Sequence, residues 1–195
     1  PHPDPLVDVM WLDSEHLMIA DSDDDLVVFE VIDTGESWPL NSTNAHQMTW
    51  AKGFTGSENG MLWGMDLSED GSRVVICGGI DNPNIPGEIV TVETSYLLGG
   101  NGNPNSIYTT HMPTDCSLSP NGSVVATTLR NFQNNLNQDK VAAYSIPDLE
   151  PLWERAIGGT EATAWAIDWD VNGLGYTVGW NRPNEGVVTH FNHID

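Results

Sequence analysis

One short turn phrase returns four times along this 195-residue chain, and its spacing constrains the fold more than any other feature. The four copies are Asp13-Ser14-Glu15-His16, Ser68-Glu69-Asp70-Gly71, Ser119-Pro120-Asn121-Gly122 and Asp170-Val171-Asn172-Gly173. They end at positions 16, 71, 122 and 173, so successive units are 55, 51 and 51 residues apart. A fixed period of this size is the signature of stacked structural repeats, none of which can bury its apolar surface alone. Apolar stretches precede the turns at 6–12, 61–67, 113–118 and 163–169, and others follow at 17–20, 74–77, 124–128 and 174–178. The post-turn runs are too short for a helix and suit buried strands.

A third run completes each unit, at 26–31, 88–93, 140–145 and 186–191, with β-branched or aromatic residues in partial alternation. A fourth, outer strand is expected near Gln47–Trp50, Ser106–Thr110 and Pro151–Ala156. Gly (19 residues), Pro (12) and Asn interrupt every window in which a three-turn amphipathic helix could be written, so the expected class is all-β. Four strands in roughly 40–50 residues is the arithmetic of a β-propeller blade. The expected architecture is a single array of about four blades of antiparallel four-stranded sheets, at 6–50, 61–110, 113–158 and 163–195.

The segment from Val7 to Phe29 resembles a WD40-type blade: an apolar run, a Ser-Pro-Asp-Gly-like turn, a second run, then an acidic turn before a closing apolar strand. Leu67–Arg73 and Leu118–Val124 repeat that turn. Phe29-Glu30 and Tyr144-Ser145 stand where the family's Trp-Asp pair would close the blade, which turns the resemblance toward the wider group of related propeller repeats. Three units of four strands and a last unit of three make 15 strands, and prolines at 1, 3 and 5 suit that N-terminal segment poorly to supply a sixteenth. The expectation is therefore a segment of a longer propeller of six to eight blades, or contact with another copy or another chain through the open edge, with a compact four-bladed monomer as the alternative.

Charge narrows the partners. Six Lys and Arg against 28 Asp and Glu leave a net charge of −22, which repels nucleic acid and resembles the composition of salt-adapted proteins. No run of 18 apolar residues occurs, so no membrane insertion is expected, and Pro1–Pro5 lacks the basic start of a signal peptide. Cys77 and Cys116 sit in apolar stretches with no metal-ligand spacing and read as small buried thiols.

Several motifs invite chemistry. Asp21-Ser22-Asp23-Asp24-Asp25 has alternating carboxylates, but Leu26 occupies the place of the glycine an EF-hand requires, and the segment reads as the turn between second and third strands. Asp66 and Asp168 share a register with Ser117, where matching polar groups serve strand and turn hydrogen bonds. With Asp115, they are the candidates for an axial site in the alternative reading, a propeller enzyme such as a metal-dependent hydrolase or a quinoprotein dehydrogenase. The six histidines form no zinc-type spacing. Trp63 and Trp165 also share a register and are expected between blades.

Trp180, Asn181 and Arg182 place a ring, an amide and a guanidinium together in an expected loop, and Asn84, Phe132 and Asn135 lie in the corresponding loops of other units. These six are the candidate binding residues, on the face carrying the variable second-to-third-strand connections. The expected function is a non-catalytic binding or assembly module for a protein, peptide or glycan, with no cofactor. A cell-surface or filament subunit is a further alternative. The sequons Asn41-Ser42-Thr43 and Asn121-Gly122-Ser123 fit an extracellular or cell-surface setting, the second doubling as a tight turn.

Overall fold

The computed structural model describes residues 6–21, 25–31, 45–52, 61–79, 87–131, 139–157, 163–182 and 185–192. It is nearly all-β, with four antiparallel sheets formed from consecutive strands. The first holds β1 (Leu6–Trp11), β2 (His16–Asp21), β3 (Asp25–Val31) and β4 (Ala45–Lys52). The second holds β5 (Met61–Leu67), β6 (Arg73–Gly79), β7 (Gly87–Glu93) and β8 (Asn105–Thr109), with a one-turn helix α1 (Thr94–Leu97) that the sequence had not suggested. The third holds β9 (Met112–Leu118), β10 (Val124–Arg130), β11 (Lys140–Ser145) and β12 (Pro151–Ala156). The fourth has three strands, β13 (Thr163–Trp169), β14 (Gly175–Arg182) and β15 (Glu185–Asn192).

Every connection within a sheet joins antiparallel neighbours, as short turns between paired strands require. In the second and third sheets the first turn is built alike. Ser68 Oγ donates to Asp70 Oδ1 (2.8 Å), and the Ser72 N–H and hydroxyl converge on the same oxygen (2.9 and 2.7 Å). Ser119, Asn121 and Ser123 repeat that arrangement at 2.9, 3.1 and 2.7 Å. The hydroxyl and N–H of Ser72, with Ser68, hold the Asp70 carboxyl at about 2, and Asn121 does the same work without charge. Gly71, Gly122 and Gly173 all have φ between 65° and 70°, the left-handed region that glycine enters without strain.

The first turn differs from the expected equivalence. Leu12 N–H bonds the His16 carbonyl, whereas Ser68, Ser119 and Asp170 reach Arg73, Val124 and Gly175, so the first turn is one residue shorter. His16 is the first residue of β2 and not the counterpart of the turn glycines. Asp13 substitutes for the missing glycine geometry by accepting the N–H groups of Glu15 (2.7 Å) and His16 (2.9 Å).

The sheets pack in chain order through their innermost strands, β1 against β5, β5 against β9 and β9 against β13. Three core clusters fill the three junctions. Met18, Val28, Leu62 and Ile76 join the first pair, Val75, Ile89, Cys116 and Leu118 the second, and Ala126, Val141, Trp169 and Tyr176 the third. No comparable packing joins β13 to β1 among the described residues. Cys77 and Cys116 are free thiols buried at the second junction, and burial pushes both thiols above their ordinary range.

Candidate functional site

Each innermost strand carries a β-bulge at one shared register. The pairing slips between Leu6 and Asp8, Leu62 and Gly64, Pro113 and Asp115, and Ala164 and Ala166. The extra residues are Val7, Trp63, Thr114 and Trp165. A bulge re-aims the side chains around it, and here it sets a line of polar groups toward the next sheet. Asp8 accepts the Met65 N–H (3.2 Å), Asp115 the Ile167 N–H (2.9 Å), and Asp66 both the Leu118 N–H (2.7 Å) and the Ser117 hydroxyl (2.9 Å). Ser117 in turn receives the Trp169 N–H at 3.4 Å, while its carbonyl takes the Trp169 indole at 3.0 Å. Asp66 and Asp115, two candidates for an axial site, are thus hydrogen-bonded to backbone across sheet junctions. Asp168, the third, is exposed and receives no hydrogen bond among the described residues.

Burial pushes the Asp115 carboxyl up to about 6, against the N–H groups of Ile167 and Cys116 and with repulsion from Asp8 and Asp66 adding to it. Burial likewise raises Asp66 and Asp139. The folded chain therefore holds protons that the unfolded chain, with carboxyls near 3.8, has released, so stability is lost as pH rises from about 4 through about 6. At fixed ionic strength, Tm should rise on acidification from about pH 7 to about pH 5, and Asp115→Asn should flatten that rise. A Tm that climbs steadily from pH 5 to pH 7 would contradict it.

At the end of the sheets that carries the second-to-third-strand connections, three side chains from two sheets meet. Trp165, on the bulge of β13, is 45% exposed. The Arg130 guanidinium, at the end of β10, lies 4.8 Å from its ring centroid, and its indole N–H donates to Asn181 Oδ1 of β14 at 3.0 Å. Beneath them, the buried Asp139 accepts the N–H groups of Asn131 (2.9 Å) and Ala164 (2.8 Å), tying the base of the β10–β11 connection to β13. The result is a solvent-facing indole fixed by a cation and an amide at the junction of the third and fourth sheets.

The predicted binding residues divide. Asn181 belongs to this cluster. Trp180 does not: it lies in β14 and not in a loop, 8% exposed, within the third core cluster, its indole N–H on Thr189 Oγ1 at 2.9 Å. Arg182 pairs with Glu185 in the backbone register of a hairpin whose connection is only residues 183–184, so no long loop exists there. Asn84, Phe132 and Asn135 lie outside the described residues, as do Asn41 and His193. The alternation Tyr176, Val178, Trp180 assigns Trp180 to the buried face, and this signal was present in the sequence. Exposure of Trp165 depends on the bulge, which local patterning does not reveal. The other bulged tryptophan, Trp63, is half-buried and donates to the Gly79 carbonyl at 3.3 Å.

Among the described residues, no group of three His, Cys, Asp or Glu side chains is placed to hold a metal ion. The acidic Asp21–Asp25 segment spans the end of β2 and the start of β3, and residues 22–24 lie outside the described residues. No protein-family model matches the sequence, and no curated protein is similar to it at a significant level.

Proposed function

We propose that this chain is a non-catalytic binding module built on propeller-type repeats, which takes a glycan at the rim formed by Trp165, Arg130 and Asn181. The observation that carries the reading is the half-exposed indole held in place by groups from two sheets. An indole face packs against the C–H face of a sugar ring, while the neighbouring guanidinium and amide supply hydrogen bonds to its hydroxyls. Holding the ring before the ligand arrives lowers the ordering cost of binding. The WD40-like turn phrase and the bulged, stacked inner strands support the propeller assignment. The enzyme alternative needs convergent polar groups on the inner strands, and the backbone hydrogen bonds of Asp66 and Asp115 weigh against it.

A panel of immobilised oligosaccharides and a peptide library, probed with the wild-type chain, Trp165→Ala and Val171→Ala, tests this. Val171 is 92% exposed on a first-to-second-strand turn and serves as the control. Binding to an oligosaccharide that falls at least about tenfold in Trp165→Ala, a loss of about 1.4 kcal/mol, and is unchanged in Val171→Ala is the expected result. Binding of peptides alone would replace the ligand class. Strong thermal stabilisation by calcium or a quinone would overturn the non-catalytic reading.

A further inference from the structure

The four first-to-second-strand turns lie at one end of the sheets, and the last three nest together. A Cβ at Gly122 would lie 3.4 Å from Ser68 Cβ, and one at Gly173 would lie 3.6 Å from Pro120 Cδ, so each of these turns rests on the turn of the preceding sheet. Gly71 breaks the series. A Cβ there would meet no described atom within 4 Å, and the turn it would rest on is the first, which is one residue shorter.

Between the short first turn and the second lies a cavity of about 510 Å³, within the roughly 300–1,000 Å³ of small-molecule sites. Thr94, the first residue of α1, contributes to its wall and is fixed to the second turn by donating its N–H to the Ser72 carbonyl at 2.9 Å. The lining has an apolar part, Leu12 and Leu98, and a charged part, Asp13, Arg73 and Glu93.

The polar groups of this lining are under-used. Arg73 and Glu93 are register partners on β6 and β7, yet guanidinium and carboxylate stand 3.8 Å apart, beyond hydrogen-bond reach, and neither side chain makes a hydrogen bond among the described residues. The Arg73 side chain is only 22% exposed, so it has given up much of its water without gaining a hydrogen-bonded partner there. Thr94 repeats the pattern. It is 8% exposed, and its buried hydroxyl makes no hydrogen bond among the described residues. Buried polar groups are ordinarily satisfied, so these are groups that a bound molecule would complete.

Charge selects the molecule. A simple anion on Arg73 would meet Glu93, Asp13 and the field of a chain with net charge −22, while a simple amine on Glu93 would meet Arg73. A molecule that carries both charges on one carbon centre avoids both penalties. It closes a ring of four alternating charges with Arg73 and Glu93, and an aliphatic group beside them covers Leu12 and Leu98. We propose that this cavity binds a free α-amino acid with an aliphatic side chain, its carboxylate on the Arg73 guanidinium and the Thr94 hydroxyl, its ammonium on the Glu93 carboxylate. The site lies at the opposite end of the strands from Trp165 and does not rest on the glycan reading.

Isothermal titration calorimetry of the 195-residue chain with L-leucine tests this, beside isocaproate, which lacks the ammonium, and isoamylamine, which lacks the carboxylate. The expected result is one saturable site for leucine with a Kd below about 1 mM, and binding of either analogue weaker by at least about tenfold. Arg73→Gln and Glu93→Gln should each weaken leucine binding at least about tenfold with unchanged circular dichroism, and Val171→Ala should not alter it. Thr94→Val separates a ligand contact from a structural one. With no bond to lose in the unliganded protein, it should leave Tm unchanged or raise it, while weakening leucine binding about fivefold. Absence of saturable leucine binding would overturn the proposal, as would leucine binding indifferent to Arg73→Gln or to Thr94→Val. Isoamylamine binding as tightly as leucine would overturn it as well, because the site would then be one for amines.

Discussion

Tyr176→Ala is expected to destabilise the fold by about 4 kcal/mol, while Tyr176→Phe leaves stability unchanged or raises it by up to about 1 kcal/mol. The ring is fully buried in β14. It stacks between Trp153 of the third sheet, at 5.1 Å and 18°, and Phe191 of β15, at 5.3 Å and 17°, with the edge of Trp169 at 5.8 Å. Truncation therefore removes a whole aromatic payload from the junction of the third and fourth sheets and leaves a cavity between rings that cannot all collapse into it. The hydroxyl contributes nothing comparable: it is buried and makes no hydrogen bond among the described residues. Removing it ends a desolvation cost and breaks no bond. Urea unfolding followed by tryptophan fluorescence reads both variants. A Phe variant less stable by 1 kcal/mol or more would show that the hydroxyl is bonded in solution.

The same ring shows what was legible in the sequence. Tyr176, Val178 and Trp180 alternate with Thr177 and Gly179, and that period of two marks β14 as a strand with one buried face. The four units, the 15 strands among the described residues and the glycine turns at 71, 122 and 173 follow from equally local signals, because chain reversal and strand alternation are written in neighbouring residues. The bulges are not. Val7, Trp63, Thr114 and Trp165 look like ordinary strand residues, and only pairing with the second strand of each sheet reveals the extra position that turns Trp165 outward. The roles of Asp66 and Asp115 were hidden for a related reason. Their partners lie 51 or 52 residues away on another sheet, so sequence shows only two acids in strands. The shorter first turn, in which Asp13 replaces a glycine, likewise misaligned His16 by obeying the phrase and not the backbone.

Asp115→Ala is expected to cost about 2–3 kcal/mol near neutral pH, and more as the solution is acidified. Its carboxylate accepts the N–H groups of Cys116 and Ile167, both at 2.9 Å, and the second of these ties β9 to β13 across a sheet junction. Losing it strands a half-buried N–H without an acceptor. The pH dependence arises because ionising Asp115 in its buried setting already costs the wild-type fold something above about pH 6, a penalty the alanine variant lacks. Gly64 faces the same carboxylate from the second sheet. A Cβ there would lie 3.1 Å from Asp115 Cα and 3.3 Å from Cys116 N, and closer still to Asp115 Oδ1. Backbone atoms cannot rotate away, so Gly64→Ala forces the second and third sheets apart, at about 1–3 kcal/mol. The two substitutions should not add. Asp115→Ala removes the nearest obstruction to a methyl at position 64, so the double variant should be more stable than the sum of the singles predicts by about 1 kcal/mol. Strict additivity in a denaturation cycle would mean that the glycine and the carboxylate do not share that space, and that the inner strands lie further apart than the hydrogen bond from Cys116 Sγ to the Gly64 carbonyl, at 3.5 Å, implies.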